Sequence, residues 1–354
     1  MARPDLPTGG ERPRIIDVAA LASVSPGTVS NTLNHPERVN AETRARVTAA
    51  IERLGFVRNQ QARMLTGAPG TTLGLIVVDL QSPFFMELAH AVERAASELG
   101  YVVIMCASDN DHTRETQLLE VLSSQRVSGV LMTPTGGSHP APGPVGGSPI
   151  VLIDEERPEY PCSVRVDHVE GGRQAARHLI ELGHRRLAFV GGLPDLGQFG
   201  QRAAGMRLAM EEAGLDPAGL LVVRSEGINL ASGEASVTRL LELDDKVTGV
   251  CCGNDMLAFG AYRALDRAGV RVPEDVALVG YDDVAFAANW IVPLTTVRQP
   301  TSEMGRRATE LLLEHAFGLP HKHQRLVLAP ELVIRRSSGA LDSGRRSQLG
   351  SLDE

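Results

Sequence analysis

Apolar and polar positions along the first 65 residues repeat with the spacing of short helices. Ile16, Ala19 and Ala20 place apolar side chains on one face of a helix over 16–22, which ends at Ser23-Val24-Ser25. A second helix follows immediately. Ser25 is a good N-cap, Pro26 at the first helical position sacrifices no hydrogen bond, and Val29 and Leu33 fall four apart on one face. The spacing predicts a third helix from Asn40 to Leu54 with Val47, Ile51 and Leu54 inward, Arg44, Arg46 and Arg53 elsewhere, and Gly55 as its stop. A fourth piece covers Asn59–Leu65. The breaker run Thr66-Gly67-Ala68-Pro69-Gly70 then marks a domain boundary.

Beyond that run the pattern changes to apolar strands alternating with amphipathic helices. Strands are predicted at 73–79, 101–107, 127–132, 150–153, 186–190, 220–223, 249–252 and 276–279. Helices are predicted at 83–99, 113–125, 169–182, 200–214, 231–243, 255–268 and 301–317. Such alternation implies parallel sheets covered on both faces. The number of strands favours two α/β halves, with a (β/α)₈ barrel as the alternative. Residues 133–149, rich in Gly and Pro, read as a surface loop, and the tail 337–354 reads as disordered.

Charge sharpens this division. Residues 1–67 hold nine arginines and six acidic residues, a surplus of three positive charges in a chain whose formal net charge is −8. A basic head on an acidic body suggests that the head meets polyanions. Cys106, Cys162, Cys251 and Cys252 form no CxxC pair and no His/Cys ladder, so they read as small buried hydrophobes, with neither disulfides nor a metal site expected. No apolar run approaches the length of a membrane helix, and the polar N-terminus lacks the core of a secretory signal, so the cytoplasm is the expected compartment, with no membrane partner.

Residues 16–34 have the layout of a helix-turn-helix, in which one helix spans the DNA backbone and the N-terminal end of the next enters the major groove. The resemblance goes further. Ile16-Asp17-Val18-Ala19, Val24-Ser25-Pro26-Gly27-Thr28-Val29-Ser30-Asn31-Thr32-Leu33-Asn34 and Asn59-Gln60-Gln61-Ala62-Arg63-Met64-Leu65 resemble the headpiece of the lactose/galactose repressor family. In the body the same holds for Gln125-Arg126-Val127-Ser128-Gly129-Val130, Gly253-Asn254-Asp255, Val279-Gly280-Tyr281-Asp282-Asp283 and Pro293-Leu294-Thr295-Thr296-Val297. Coverage runs over about residues 14–336.

That resemblance implies a helix-turn-helix headpiece over 14–58, a hinge helix and linker over 59–70, and an effector-binding and dimerisation core over 71–336. The core implied is the periplasmic-binding-protein type of two doubly wound α/β lobes, an N-lobe of 71–166 plus 299–327 and a C-lobe of 167–298 plus 328–336. Pro26, Gly27 and Asn31 match base-reading positions. Only Asn31 carries a side-chain donor, and asparagine suits adenine edges. Thr28, Ser30 and Asn34, with Ser25 at the cap, match phosphate contacts. Asn59–Leu65 matches the hinge helix, with Ala62 permitting close approach of two such helices in a dimer and Leu65 acting as a minor-groove wedge. Without the resemblance, Leu65 reads as packing on the body's first strand. Arg58 stands where the family often has Pro.

In the body, ligands bind outside the carboxyl ends of the strands. Asp79, Asp154, Asn254 and Asp282 follow strands there and suit vicinal hydroxyls; Phe84 and Phe85 can supply a ring for the apolar face of a sugar. Arg202 matches the family's effector-binding arginine. Asp255 and Asp283 read instead as caps or strand-end ties. Ile228 stands where an aromatic is common, and Leu196 where the purine-responsive branch carries a charge, so the expected effector is a neutral carbohydrate rather than a purine. The reading is a homodimeric, DNA-binding transcriptional regulator, most simply a repressor of a palindromic operator. No cofactor is implied. A solute-binding protein is the alternative. An enzyme is disfavoured, since no G-x-S-x-G elbow, P-loop, HExxH or strand-linked G-x-G-x-x-G occurs, and His112, His168, His178 and His184 show no evident nucleophile or metal partner.

Overall fold

The computed structural model describes residues 13–56, 70–136, 147–192, 197–243, 246–316 and 322–339. The chain separates into two compact units, divided between Pro69 and Gly70.

In the first unit, α1 (Ile15–Ala22), α2 (Pro26–Asn34) and α3 (Ala41–Leu54) enclose a core of Val18, Ala19, Ala22, Val29, Val47 and Ala50. The buried face of α1 is rotated from the expected one: Ile16 is 47% exposed and Val18 is inward, because the chain enters at Ile15 and packs that residue on the core instead. Ser23 turns the chain at φ 54°, and Ser25 Oγ accepts from Thr28 N–H at 3.1 Å to cap α2. Asn40 caps α3 through Thr43 N–H at 2.8 Å. Such caps stabilise a helix by about 0.5–2 kcal/mol, a large share for so small a core. The fourth helical piece and the linker fall outside the described residues.

The second unit has two six-stranded sheets, which overturns the single-barrel alternative. The first lobe's order is β11-β5-β4-β3-β1-β2, with β1 (Thr72–Val77), β2 (Val102–Ala107), β3 (Val130–Met132), β4 (Ile150–Ile153), β5 (Ser163–Val166) and β11 (Arg325–Leu328). The second lobe's order is β12-β10-β9-β8-β6-β7, with β6 (Leu187–Val190), β7 (Leu221–Val223), β8 (Gly249–Cys252), β9 (Ala277–Asp282), β10 (Thr295–Arg298) and β12 (Glu331–Val333). All pairings are parallel except β10–β12. Helices α4 (Pro83–Glu98), α5 (His112–Ser124) and α10 (Thr301–Ala316) cover the first sheet. Helices α6 (His168–Glu181), α7 (Gly197–Glu212), α8 (Leu230–Leu241) and α9 (Asp255–Arg267) cover the second. Because β11 and α10 return to the first lobe, the chain passes between the sheets three times, near 167, 299–300 and 329–330.

Four of these strands, β5, β10, β11 and β12, are absent from the sequence reading. They read SVRV, TTVR, RLVL and ELV, short stretches that carry Ser, Thr, Arg or Glu, so no continuous apolar run marks them. The start of the tail also moves. Ser337 and Ser338, expected to be disordered, are buried: Ser337 Oγ donates to Leu278 O at 2.6 Å, and Ser338 Oγ bonds His178 Nε2 at 2.9 Å. The remainder of the tail, 340–354, falls outside the described residues. Among the described residues no helix is long and apolar enough to cross a membrane.

Candidate DNA-reading helix and ligand cleft

On α2 the side chains sort by burial. Val29 and Thr32 face the core, while Ser25, Pro26, Gly27, Asn31 and Asn34 are exposed and Thr28 and Ser30 half-buried. Thr32 Oγ1 donates to Thr28 O at 2.9 Å and Asn34 Nδ2 to Ser30 Oγ at 3.2 Å, so the polar stripe is partly organised within itself. The exposed Asn31 carboxamide takes part in neither bond. At the N-terminus of α2 Pro26 has no N–H and Thr28 N–H is taken by Ser25, so the Gly27 N–H is the backbone donor left to face a phosphate. A Cβ at Gly27 would meet only Ser25 Oγ, at 3.6 Å, so the reading surface is open there. Asn59, Ala62 and Leu65 lie outside the described residues.

In the second unit a cleft between the two sheets is lined by Phe84, Phe85 and Asp154 from the first lobe and by Arg202, Asn254 and Asp282 from the second. Six of the seven residues expected there therefore line one cavity. The seventh, Asp79, does not. It follows β1 closely enough that its Oδ1 accepts from Gln81 N–H at 2.7 Å and closes a turn.

The arrangement centres on His168, which opens α6. Arg202 Nε and Nη2 both lie 3.3 Å from His168 Nδ1. Arginine only donates, so Nδ1 accepts, and Nε2–H is left to donate to Asp154 Oδ1 at 2.8 Å. Burial holds the imidazole below its ordinary pKa, against the pull of Asp154, so it stays neutral. Tyr281 OH lies 3.1 Å from the same Nδ1, and the Arg202 guanidinium stacks 3.7 Å over the Tyr281 ring. Arg202 Nη1 also donates to Gly253 O. The arginine is thus fixed by three neighbours, and only its remaining N–H groups can reach a ligand.

Asp282 ends β9 at φ 118° and Asp154 follows β4 at φ 62°, both in the left-handed region that non-glycine residues rarely occupy. Backbone strain of this kind, about 1–3 kcal/mol each, clusters at binding sites. Burial pushes the Asp282 carboxyl up to about 7; Arg202 and a 2.7 Å bond from Gln299 Nε2–H oppose this, while Asp154 and Glu87 add to it. Near neutrality it can therefore donate as well as accept. Asn254 is largely committed: its Oδ1 caps α9 through Leu257 N–H at 2.8 Å, and its Nδ2 donates to Ile228 O at 2.9 Å. Asp255 and Asp283 act as the strand-end ties expected of them. Asp255 accepts from Thr296 Oγ1 at 2.6 Å and Val284 N–H at 2.9 Å, and Asp283 accepts from Arg298 Nε at 2.7 Å and forms an ion pair with Arg335 at 2.6 Å.

Sequence reasoning missed His168, Tyr281, Gln198 and Gln299. Gln198 Nε2 donates to Asp154 O at 3.2 Å, and the Oε1 atoms of Gln198 and Gln299 are buried with no hydrogen-bond partner. One signal was available. Gly171-Gly172 inside a helix is unfavourable by up to about 1 kcal/mol per glycine, so it needs a packing reason. A methyl on Gly171 would overlap the Tyr281 hydroxyl, and one on Gly172 the Arg202 backbone carbonyl. The pair makes room for the two groups that meet His168.

Comparison with known proteins adds a framework to this geometry. Residues 14–59 match the family of bacterial regulatory proteins, lacI family, and residues 176–338 match a periplasmic binding protein-like domain. The HTH-type transcriptional regulator DegA of Bacillus subtilis is 33% identical over 335 residues, 93% of this chain and 99% of that protein. The structure of a transcriptional regulator CelR–cellobiose complex is 34% identical, with a TM-score of 0.68, covering 92% of this chain and all of that one. The lac repressor dimer bound to operator and the anti-inducer ONPF is 27% identical, with a TM-score of 0.81, over 93% of this chain and 99% of that one.

Proposed function

Because the chain belongs to the lacI family of bacterial regulatory proteins, and is a DNA-binding transcriptional regulator rather than an enzyme, we propose that it represses from a palindromic operator as a homodimer whose affinity is set by a neutral carbohydrate. Asn31 reads base edges, with Pro26 and Gly27 leaving the groove floor accessible, and Ser25, Thr28, Ser30 and Asn34 fix the register on phosphates. Asn59, Ala62 and Leu65 form the hinge helix that pairs across the dimer in the minor groove. Work at an operator places the protein in the cytoplasm.

One observation carries the effector assignment. The cleft is walled by both lobes and holds two buried carboxamide oxygens without partners beside a carboxyl able to donate. Those oxygens need hydroxyl or N–H donors from a ligand, and Phe84 with Phe85, ring centroids 5.2 Å apart, offers an apolar wall for a sugar face. The cellobiose bound by the CelR relative is a ligand of that chemistry. The cavity is ≈ 50 Å³, against roughly 300–1,000 Å³ for ordinary ligand sites, so a sugar enters only when the lobes part. Ligand affinity and lobe placement are then linked, and DNA alters ligand affinity by the factor that ligand alters DNA affinity.

The test is selection of operator from random duplexes, followed by titration of cellobiose and ribose against the selected site. A palindrome with a pyrimidine–purine centre is expected, with Asn31→Ala weakening binding by about 1–3 kcal/mol and Leu65→Ala weakening it as well. Failure to enrich any duplex at moderate salt overturns the operator reading. Enrichment with an affinity unmoved by any neutral sugar overturns the effector reading alone.

A further inference from the structure

Away from the cleft, three side chains from distant parts of the first lobe converge. Cys162 precedes β5, His315 sits in the last turn of α10, and His323 precedes β11. One ligand-capable atom of each lies within 4.8 Å of the others, and Cys162 Sγ is 3.5 Å from His323 Nδ1. We propose that Cys162, His315 and His323 form a zinc site that clips the edge strand β11 to β5 and to the C-terminal end of α10. Zn–N bonds of about 2.0–2.1 Å and Zn–S bonds of about 2.3 Å give tetrahedral edges of roughly 3.3–3.7 Å. The Cys162–His323 edge is already that length, and the distances to the third side chain close by at most about 1.5 Å.

The donor set and its setting agree. One sulfur with two imidazoles suits a borderline-soft divalent ion, and zinc takes such sets with water in the fourth position. Cys162 is buried, His315 half-buried and His323 exposed, so the site has a dry floor and an open entry. A cation there also faces the negative end of the α10 dipole. Parallel pairing of Ser163 with Arg325 brings Cys162 and His323 together, one residue before that pair on β5 and two before it on β11. The reading of Cys162 from sequence as merely a small hydrophobe missed this, because its partners stand 153 and 161 residues away. On binding, the Cys162 S–H bond breaks, the thiolate sulfur bonds zinc, and the proton leaves to buffer.

The experiment uses the full chain, stripped with chelator and titrated with Co²⁺ as a spectroscopic stand-in for Zn²⁺. One equivalent should produce a thiolate-to-metal charge-transfer band, bleached by an equivalent of Zn²⁺ and absent in Cys162→Ser. His323→Ala, at an exposed position, should keep the fold by circular dichroism and lose at least about a hundredfold in metal affinity, beyond the 10–100-fold that outer-shell losses cost. No band in folded protein, a band that survives Cys162→Ser, or undiminished affinity in His323→Ala would each overturn the site.

Discussion

The two lobes meet the cleft with different tolerances. In the second lobe α6 and α7 interlock through reciprocal glycines: a methyl on Gly172 would overlap the Arg202 carbonyl, and one on Gly205 the Val169 carbonyl. Backbones that close admit one arrangement, and through it Arg202, His168 and Tyr281 are held to each other. In the first lobe the corresponding pair, α4 and α10, has one glycine, Gly305, where a methyl would meet Ala91 Cβ at 2.7 Å and the Val92 backbone nitrogen at 2.9 Å, less tightly than the 1.9 Å overlaps of the second lobe. That lobe brings mainly rings and Asp154 to the cleft. The lesson is a division of labour. The second lobe fixes the orientation of polar groups by backbone contact and hydrogen bonding, and the first supplies a surface whose exact placement matters less.

The sharpest way to break this contrast is Gly172→Ala. It should destabilise the chain by about 3 kcal/mol, the upper part of the overpacking range, and lower sugar affinity at least tenfold by shifting Arg202. Thermal melting and calorimetric titration read the two effects, and an unchanged affinity would detach Arg202 from the glycine packing. Next comes Asp282→Asn. The folded chain holds the Asp282 proton up to about pH 7, whereas the unfolded chain releases it near the ordinary value of 3.8. This group therefore costs stability progressively as pH rises from about 4 to about 7. At about 1.4 kcal/mol per pKa unit, the variant should gain roughly 2 kcal/mol relative to the native chain between pH 5 and 7 in urea unfolding. No relative gain would mean that the carboxyl is not disfavoured by burial. The smallest effect is expected from Gly305→Ala, about 1 kcal/mol, with sugar affinity within about twofold. A larger loss of affinity there would erase the distinction between the lobes.

What the sequence made legible follows the physical range of each signal. Continuous apolar strands such as 150–153 and 249–252, and capped helices such as α2, announce themselves within a dozen residues, and the two strands have the predicted bounds. The four strands broken by polar residues do not, because their identity lies in partners elsewhere: β12 pairs antiparallel with β10. The cleft divides the same way. Asp154, Arg202 and Asp282 were found from strand ends and family resemblance, and the resemblance proved sound at the level of family and fold. Asp79 has the same position after its strand, yet its carboxylate turns back to Gln81 N–H, a choice made by one local hydrogen bond. His168 looked solitary because Asp154, Arg202 and Tyr281 reach it from 14, 34 and 113 residues away.

The three crossings between sheets carry a consequence for how the molecule is made. The first lobe's edge strand β11 and its helix α10 are translated only after β10 of the second lobe. On the ribosome the first sheet must therefore wait, with the Val164 and Val166 edge of β5 unpaired, while most of the second lobe emerges and can fold. A chain cut short before residue 301 would present a nearly whole second lobe joined to a first lobe lacking a covering helix and an edge strand. Quality control would meet that fragment as an exposed parallel sheet, so this regulator's abundance depends on the synthesis of residues 301–333.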